Sequence, residues 1–345
     1  MLNILYIGDH HPGSTSFHRA RALSRLGHQV VVKNPVEALD QQLNSRWWAA
    51  LHFRTGYRLL QTGMLKWVKS VMENMAPPDL VWVDSGELIG CSCVKALQTL
   101  KCPVILYNID DPTGKRDGRR FDSLLGAIPL YDLVVVVRME TAKECSFLGA
   151  KNVMRVLRSY DEVAHQPYAN IHEIPADFKS DIAFIGTWMR NEKRDEFILH
   201  LIHEGLNVNI WGDGWQKSHL FSKIKHCWRG KSLSGRDYIA AIQGAKICLG
   251  MLSKGNRDLH TTRSLEIPYA GGLLCAQRTV EHLHLYREGV EAAFWSDAKE
   301  CVKVCKDLLN NGKIDQLRIA GMQRVREIKA GNEDVCRAIL ETALN

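Results

Sequence analysis

Several signatures are missing from this chain, and each absence closes off a class of protein. No G-x-G-x-x-G turn follows an apolar run, which disfavours a Rossmann oxidoreductase. The ten cysteines are scattered, and neither Cys91-Ser-Cys93 nor Cys301-x3-Cys305 has the paired C-x-x-C spacing of a zinc site. Most sit inside apolar runs, such as Cys248 in AKICLGML and Cys275 in GGLLCAQ, so reduced, buried thiols are expected. No apolar run approaches the roughly 20 residues that a membrane span requires. LNILYIG at the start reads as a strand without a basic leader region, so a cytoplasmic protein is expected. Sequence repeats and low-complexity segments are lacking as well.

What is present is the composition of a globular protein, with 46% hydrophobic and 24% charged residues. At 345 residues the chain is too long for one ordinary core, so two domains of roughly 150 to 180 residues are expected. The formal net charge of +7 suits anionic ligands or an anionic surface. It is too small to argue for nucleic acid, which is not expected as a partner.

The chain reads as strand–helix units twice over. LNILYIG, HQVVVK, DLVWVD (79–84), PVILYNI (103–109) and DLVVVVR (132–138) are strands of the first series. Their continuous apolar character is that of a parallel sheet covered on both faces. Helices fall between them, at Phe17–Leu26, Ser92–Leu100 and Met139–Leu148. A polar stretch with Pro167 and Pro175 reads as a linker, and DIAFIGT (181–187), NVNIWG (207–212), AKICLGML (245–252) and GGLLCA (271–276) form the second series. The expected organisation is a domain over 1–165, a linker over 166–179, a second domain over 180–325 and a C-terminal helix over 326–345. Both domains are α/β, doubly wound and Rossmann-like, facing across a cleft into which the strand-end loops point.

The most informative stretch is LSKGNRDLHTTRSLEIPYAGGLLCAQRTVE, residues 252–281. It sets Lys254, Arg257, Arg263, Thr261 and Thr262 around two acids, Asp258 and Glu266, ahead of a helix start. Backbone N–H groups at a helix start, with Arg and Lys beside them, suit a pyrophosphate. A carboxylate in the same place suits the paired hydroxyls of a ribose. The alternative is a capped surface helix with Thr261 or Thr262 as N-cap.

Two loops of the first domain also carry chemistry. Gly13, Ser14, Thr15 and Ser16 precede a helix and read as an oxyanion or phosphate nest, with His18 just beyond. Asp110-Asp111-Pro112 ends a strand and has three readings: a turn, a sugar or acceptor contact, or a metal site. From Gln41 to Met72 there are five Arg or Lys and no acid, with Trp47, Trp48, Phe53, Tyr57 and Trp67 interleaved. That segment reads either as packed helices with a basic outer face or as a peripheral contact with an anionic membrane or a saccharide.

DDP, FIGTW followed by Arg190 and Arg194, GDGW, and above all LSKGNRDLHTTRSLEIPYAGG resemble the CgeB-like glycosyltransferases. That family is similar in turn to the large retaining group with the GT-B fold. The resemblance implies a nucleotide-sugar donor held mainly by the C-terminal domain, no cofactor and no catalytic metal. Asp258-x7-Glu266 falls where the retaining group carries E-x7-E, so Glu266 would hold the donor ribose and Asp258 would sit near the sugar and phosphate. Arg190 and Arg194 fall near the diphosphate ligands of that group, and Trp215 near its nucleobase pocket. A departing diphosphate gathers negative charge, which Arg190, Arg194, Lys254 and Arg263 can neutralise without an ion.

The candidate donor site therefore comprises Gly186, Thr187, Arg190, Arg194, Trp215, Lys254, Asn256, Thr262 and Glu266. Asp258, Arg263 and Asp110 are the catalytic candidates, Asp110 as the base if the reaction inverts. Gly13, Ser14, His18 and Asp111 are candidates for acceptor or sugar contact. The expected activity is transfer of a sugar, in the manner of a hexosyltransferase of polysaccharide biosynthesis, to a glycan, a lipid-linked saccharide or a protein, with retention. A second reading is a catalytically inactive coat or assembly protein that keeps the fold.

Overall fold

The computed structural model describes residues 1–39 and 45–345. The chain divides into two compact units, one formed by Met1–Leu157 with Asn332–Asn345 and the other by Arg158–Gly331. By contact the division therefore follows Leu157. Residues 158–179, which read as a domain end and linker in sequence, pack with the second unit. Tyr168 shows how: its backbone N–H and carbonyl both bond the side chain of Gln243, at 2.7 and 3.1 Å.

The first unit holds strands β1 (Asn3–Ile7), β2 (Gln29–Lys33), β3 (Leu80–Asp84), β4 (Val104–Asn108), β5 (Leu133–Val136) and β6 (Val153–Arg155). They form one parallel sheet in the order β2-β1-β3-β4-β5-β6. The side-chain period of two sends alternate residues of β1 to opposite faces. Leu5 and Ile7 pack with Met64, Val68 and Leu97 on one face, and Ile4 and Tyr6 with Leu23 and Ile339 on the other. The last helix, Asn332–Leu344, thus belongs to this unit.

The second unit holds β7 (Ser180–Ile185), β8 (Val208–Trp211), β9 (Trp228–Gly230), β10 (Ala245–Gly250), β11 (Leu274–Gln277) and β12 (Ala293–Trp295). Their order is β12-β11-β10-β7-β8-β9, again with every pair parallel. Numbered from β7, this is the doubly wound order 3-2-1-4-5-6 of dinucleotide-binding sheets. Among the described residues, no helix is long and apolar enough to cross a membrane.

Candidate functional site

In an open α/β sheet the ligand crevice forms beyond the carboxyl ends of two neighbouring strands whose connections leave in opposite directions. In the second unit those strands are β7 and β10. The loops that follow them, 186–193 and 251–262, hold most of the residues singled out from sequence.

The loop after β7 is supported by the loop after β8. Gly186 N donates to Trp211 O and Trp188 N to Asp213 O, each at 2.9 Å. A Cβ on Gly212 would stand 2.1 Å from the carbonyl oxygen of Gly186, so the two backbones touch and only glycine fits. Trp215 is fully buried beneath them, its ring edge-on to Phe184 at 5.9 Å and its Nε1 donating to Gly186 O at 2.9 Å. This corrects the expectation of a nucleobase pocket at Trp215. A ring with no exposed face stacks on no base; it props the loop.

Arg194 requires a similar correction. Its buried guanidinium donates to Thr187 O at 2.8 Å and to Leu252 O at 3.1 Å, tying the loops after β7 and β10 together. The side chain that sequence placed on the diphosphate is a staple. Thr187, Arg190 and Lys254 are exposed on the same loops, and neither of these two cations makes an ion pair among the described residues. Asn256 closes the single helical turn Lys254–Asn256, just before Arg257 at a left-handed φ of 53°. The carboxylate of Glu192 accepts from Lys254 N at 3.1 Å, Gly255 N at 3.2 Å and Ser253 Oγ at 3.4 Å. Converging N–H groups of this kind make an anion-binding concavity.

The helix Arg263–Tyr269 starts at the end of the β10 loop. Thr262 makes no side-chain capping bond, and Ser264 Oγ accepts from Thr261 N at 3.0 Å instead. Arg263 and Glu266, one turn apart, pair at 2.8 Å. The phenol of Tyr238 donates to the same Glu266 oxygen at 2.6 Å, and His165 Nε2 stands 3.5 Å from the other. Burial pushes the Glu266 carboxyl up, but His165, Arg263 and the Tyr238 hydrogen bond outweigh it and hold it below its ordinary value. Arg263 lies over the Tyr238 ring at 4.7 Å, and its Nε donates to Ile185 O at 3.3 Å. Its Nη2 makes no hydrogen bond among the described residues, and its side chain is 37% exposed. The guanidinium is thus fixed through Nε and Nη1, with Nη2 left over.

Asp258 is buried and accepts from Arg158 Nη2 at 3.1 Å. Arg158 N in turn donates to His260 Nε2 at 3.1 Å, which leaves the His260 Nδ1–H to the carboxylate of Glu281. The two acids of the Asp-x7-Glu spacing therefore each hold their own cation within this unit. Arg158 and His165 come from the polar end of the stretch that reads as the first domain, and Tyr238 from an amphipathic helix (Gly235–Gly244), so nothing in sequence marked them.

The first unit treats its candidates differently. Ser14 caps its own helix, accepting from Phe17 N at 3.1 Å, and His18 Nε2 lies 3.1 Å from Pro12 O, while Gly13 is exposed. Beneath them, Arg19 bonds Asp84 through Nε at 2.8 Å and Nη2 at 3.0 Å, with Tyr6 donating to Asp84 at 2.7 Å. Asp111 is buried and accepts from Thr141 Oγ1 at 3.1 Å, which corrects its reading as an acceptor contact. Asp110 stays 36% exposed, 3.7 Å from Arg120. The same Arg120 also bonds Glu87 at 2.6 Å. The tertiary structure gathers three thiols, Cys275, Cys301 and Cys305, within 4.8 Å of one another. They sit in an apolar cluster with Trp295 and Leu308, where a three-thiolate complex would bury uncompensated negative charge. Reduced packing suits them.

Residues 190–330 match the family model described as glycosyl transferase-like. No curated protein sequence matches the chain significantly. Among solved structures, HepE of Anabaena in complex with UDP-glucose is 13% identical, with a TM-score of 0.66 and 99% of each chain covered. Sucrose-phosphate synthase of Thermosynechococcus elongatus is 11% identical, with a TM-score of 0.68 over 98% of this chain and 97% of that one. A UDP-forming trehalose-phosphate synthase of Burkholderia xenovorans is 11% identical, with a TM-score of 0.67 over 100% of this chain and 99% of that one. The two six-stranded parallel sheets are those of the GT-B fold.

Proposed function

We propose that this chain is a glycosyltransferase that moves a sugar from a nucleoside-diphosphate donor, with UDP-sugars as the first donors to try. The observation that carries this reading is Arg263, held through Nε by Ile185 O and through Nη1 by Glu266, with Nη2 left over beside the ends of β7 and β10. A departing diphosphate is stabilised most by a cation that is already oriented before the bond breaks. The match of residues 190–330 to a glycosyl transferase-like model and the UDP-glucose complex of HepE support the same assignment.

In this reading the donor ribose meets Glu266, and the diphosphate meets Nη2 of Arg263 with Arg190 and Lys254 around it. Glu192 sits on N–H groups that a phosphate oxygen would also suit, so donor binding displaces it. Arg194 and Trp215 act only by fixing the loops. With these cations in place the reaction needs no divalent ion, and the acceptor is a glycan or glycolipid. UDP at 100 times its dissociation constant is expected to stabilise the protein by about 2.7 kcal/mol, read as a thermal shift. Slow hydrolysis of UDP-sugar by the pure protein separates an enzyme from an inactive scaffold that only binds. Neither shift nor hydrolysis with any nucleotide sugar would remove the assignment.

The Asp258-x7-Glu266 spacing further supports retention of the donor's anomeric configuration. A retaining reaction of this type has no dedicated base, because the donor phosphate itself guides the acceptor. Asp110→Asn is then expected to keep activity within about tenfold, whereas loss of a true general base costs roughly 10²–10⁴ in rate. NMR of the product's anomeric proton decides the matter. An inverted linkage, with Asp110→Asn inactive, makes Asp110 the base instead.

A further inference from the structure

The helix Arg46–Arg54, RWWAALHFR, turns its apolar side outward. Trp47 is 87% exposed, Trp48 55% and Leu51 41%, while polar His52 is buried. Trp47, Ala50, Leu51 and Arg54 fall at helical spacing, so they share one outward face. Two neighbouring tryptophans open to water are an unusual use of the costliest apolar surface, and a contiguous patch of this kind marks a contact.

The charges of the same segment identify the partner. Residues 45–72 contain no acid, and Arg54, Lys66 and Lys69 are exposed without an ion pair among the described residues. Arg58 is engaged, with Asp122 at 3.2 Å. Tryptophan and arginine occur at protein interfaces too, but lysine is depleted there. Tryptophan with lysine and arginine and no acid is the composition of a helix lying in the headgroup layer of an anionic bilayer. Residues 41–44 of the basic, aromatic segment lie outside the described residues.

We propose that the helix Arg46–Arg54 docks this protein on an anionic membrane surface, with Trp47, Trp48 and Leu51 in the headgroup boundary and Arg54, Lys66 and Lys69 supplying attraction to the lipid phosphates. The contact is peripheral and reversible. It is independent of the donor site, so it stands or falls without reference to the enzymatic reading.

The full chain is mixed with vesicles of phosphatidylcholine containing roughly a third phosphatidylglycerol, and with vesicles of phosphatidylcholine alone, in about 0.1 M salt. Co-sedimentation is expected with the anionic vesicles only, and brominated acyl chains should quench the tryptophan emission. The double variant Trp47→Ser/Trp48→Ser should lower the partition coefficient at least about tenfold with an unchanged unfolding midpoint. Lys66→Gln should lower it by about fivefold, the factor for one lost charge near the surface. Equal binding of wild type and double variant, or equal binding to both vesicles, overturns the proposal. So does a wild-type dimer in sedimentation velocity that the double variant dissolves without any lipid binding, since the face would then be a subunit interface.

Discussion

Glu266→Ala should destabilise the second unit by about 3 kcal/mol, the lower end of the cost of breaking a buried ion pair. The carboxylate is 4% exposed and satisfies Arg263, Tyr238 and His165 at once. Its removal strands the Tyr238 hydroxyl and leaves the Arg263 charge without its counter-ion. The 37% exposure of the Arg263 side chain lets water relieve part of that cost. From sequence alone the same substitution is expected to spare the fold, because a surface ribose ligand has no partners of its own. Glu266→Gln keeps the shape and separates the two roles. It should stay folded yet bind UDP more weakly by about 1–3 kcal/mol, the range for a charged hydrogen bond. Urea unfolding of both variants and calorimetry of the second give the answer. An alanine variant as stable as wild type would mean that the network contributes nothing.

The same network predicts a pH effect with a definite sign. The folded Glu266 carboxyl titrates below its ordinary value. Its contribution to stability is therefore fully present above the unfolded value of about 4.3. It is lost as pH falls through the lower, folded value. Glu266→Gln should flatten this part of the acid-unfolding profile, and an unchanged profile would place the carboxyl outside the titration.

Arg263→Lys should lower turnover about a hundredfold while changing donor affinity much less, the pattern for a group that meets charge only as it develops. Lysine keeps a cation for Glu266, so the fold survives the change. It lacks the planar fork that holds Ile185 O and Glu266 with one part and leaves Nη2 free. Initial rates over a range of donor concentrations separate the two effects. A large rise in donor KM at unchanged kcat would make Arg263 a ground-state anchor and not a stabiliser of the leaving group.

The sequence alone determined the α/β class and most of the strands. Fully buried parallel strands must be uninterrupted apolar runs, and DLVWVD, PVILYNI and DLVVVV are such runs. It also singled out the loops after β7 and β10 as candidates, because glycines, cations and acids collect there at strand ends. Three short strands, β6, β9 and β12, escaped it, since VMR, WRG and AFW are too short to show a period. Strand order was beyond it too, and strand order makes β7 and β10 neighbours and so brings their loops together.

Which polar and aromatic residues face the crevice was decided only by tertiary structure. Arg194 and Trp215 carry the right chemistry at the right place in the chain, but their side chains point inward to Thr187, Leu252 and Gly186. Arg158 and His165, hidden in a proline-bearing stretch without periodicity, point to the two acids. Local spacing specifies which residues lie near one another on an element. Whether a buried charge is satisfied by a carbonyl, a carboxylate or a ligand depends on partners far away in sequence, such as Arg158 and Asp258, 100 positions apart.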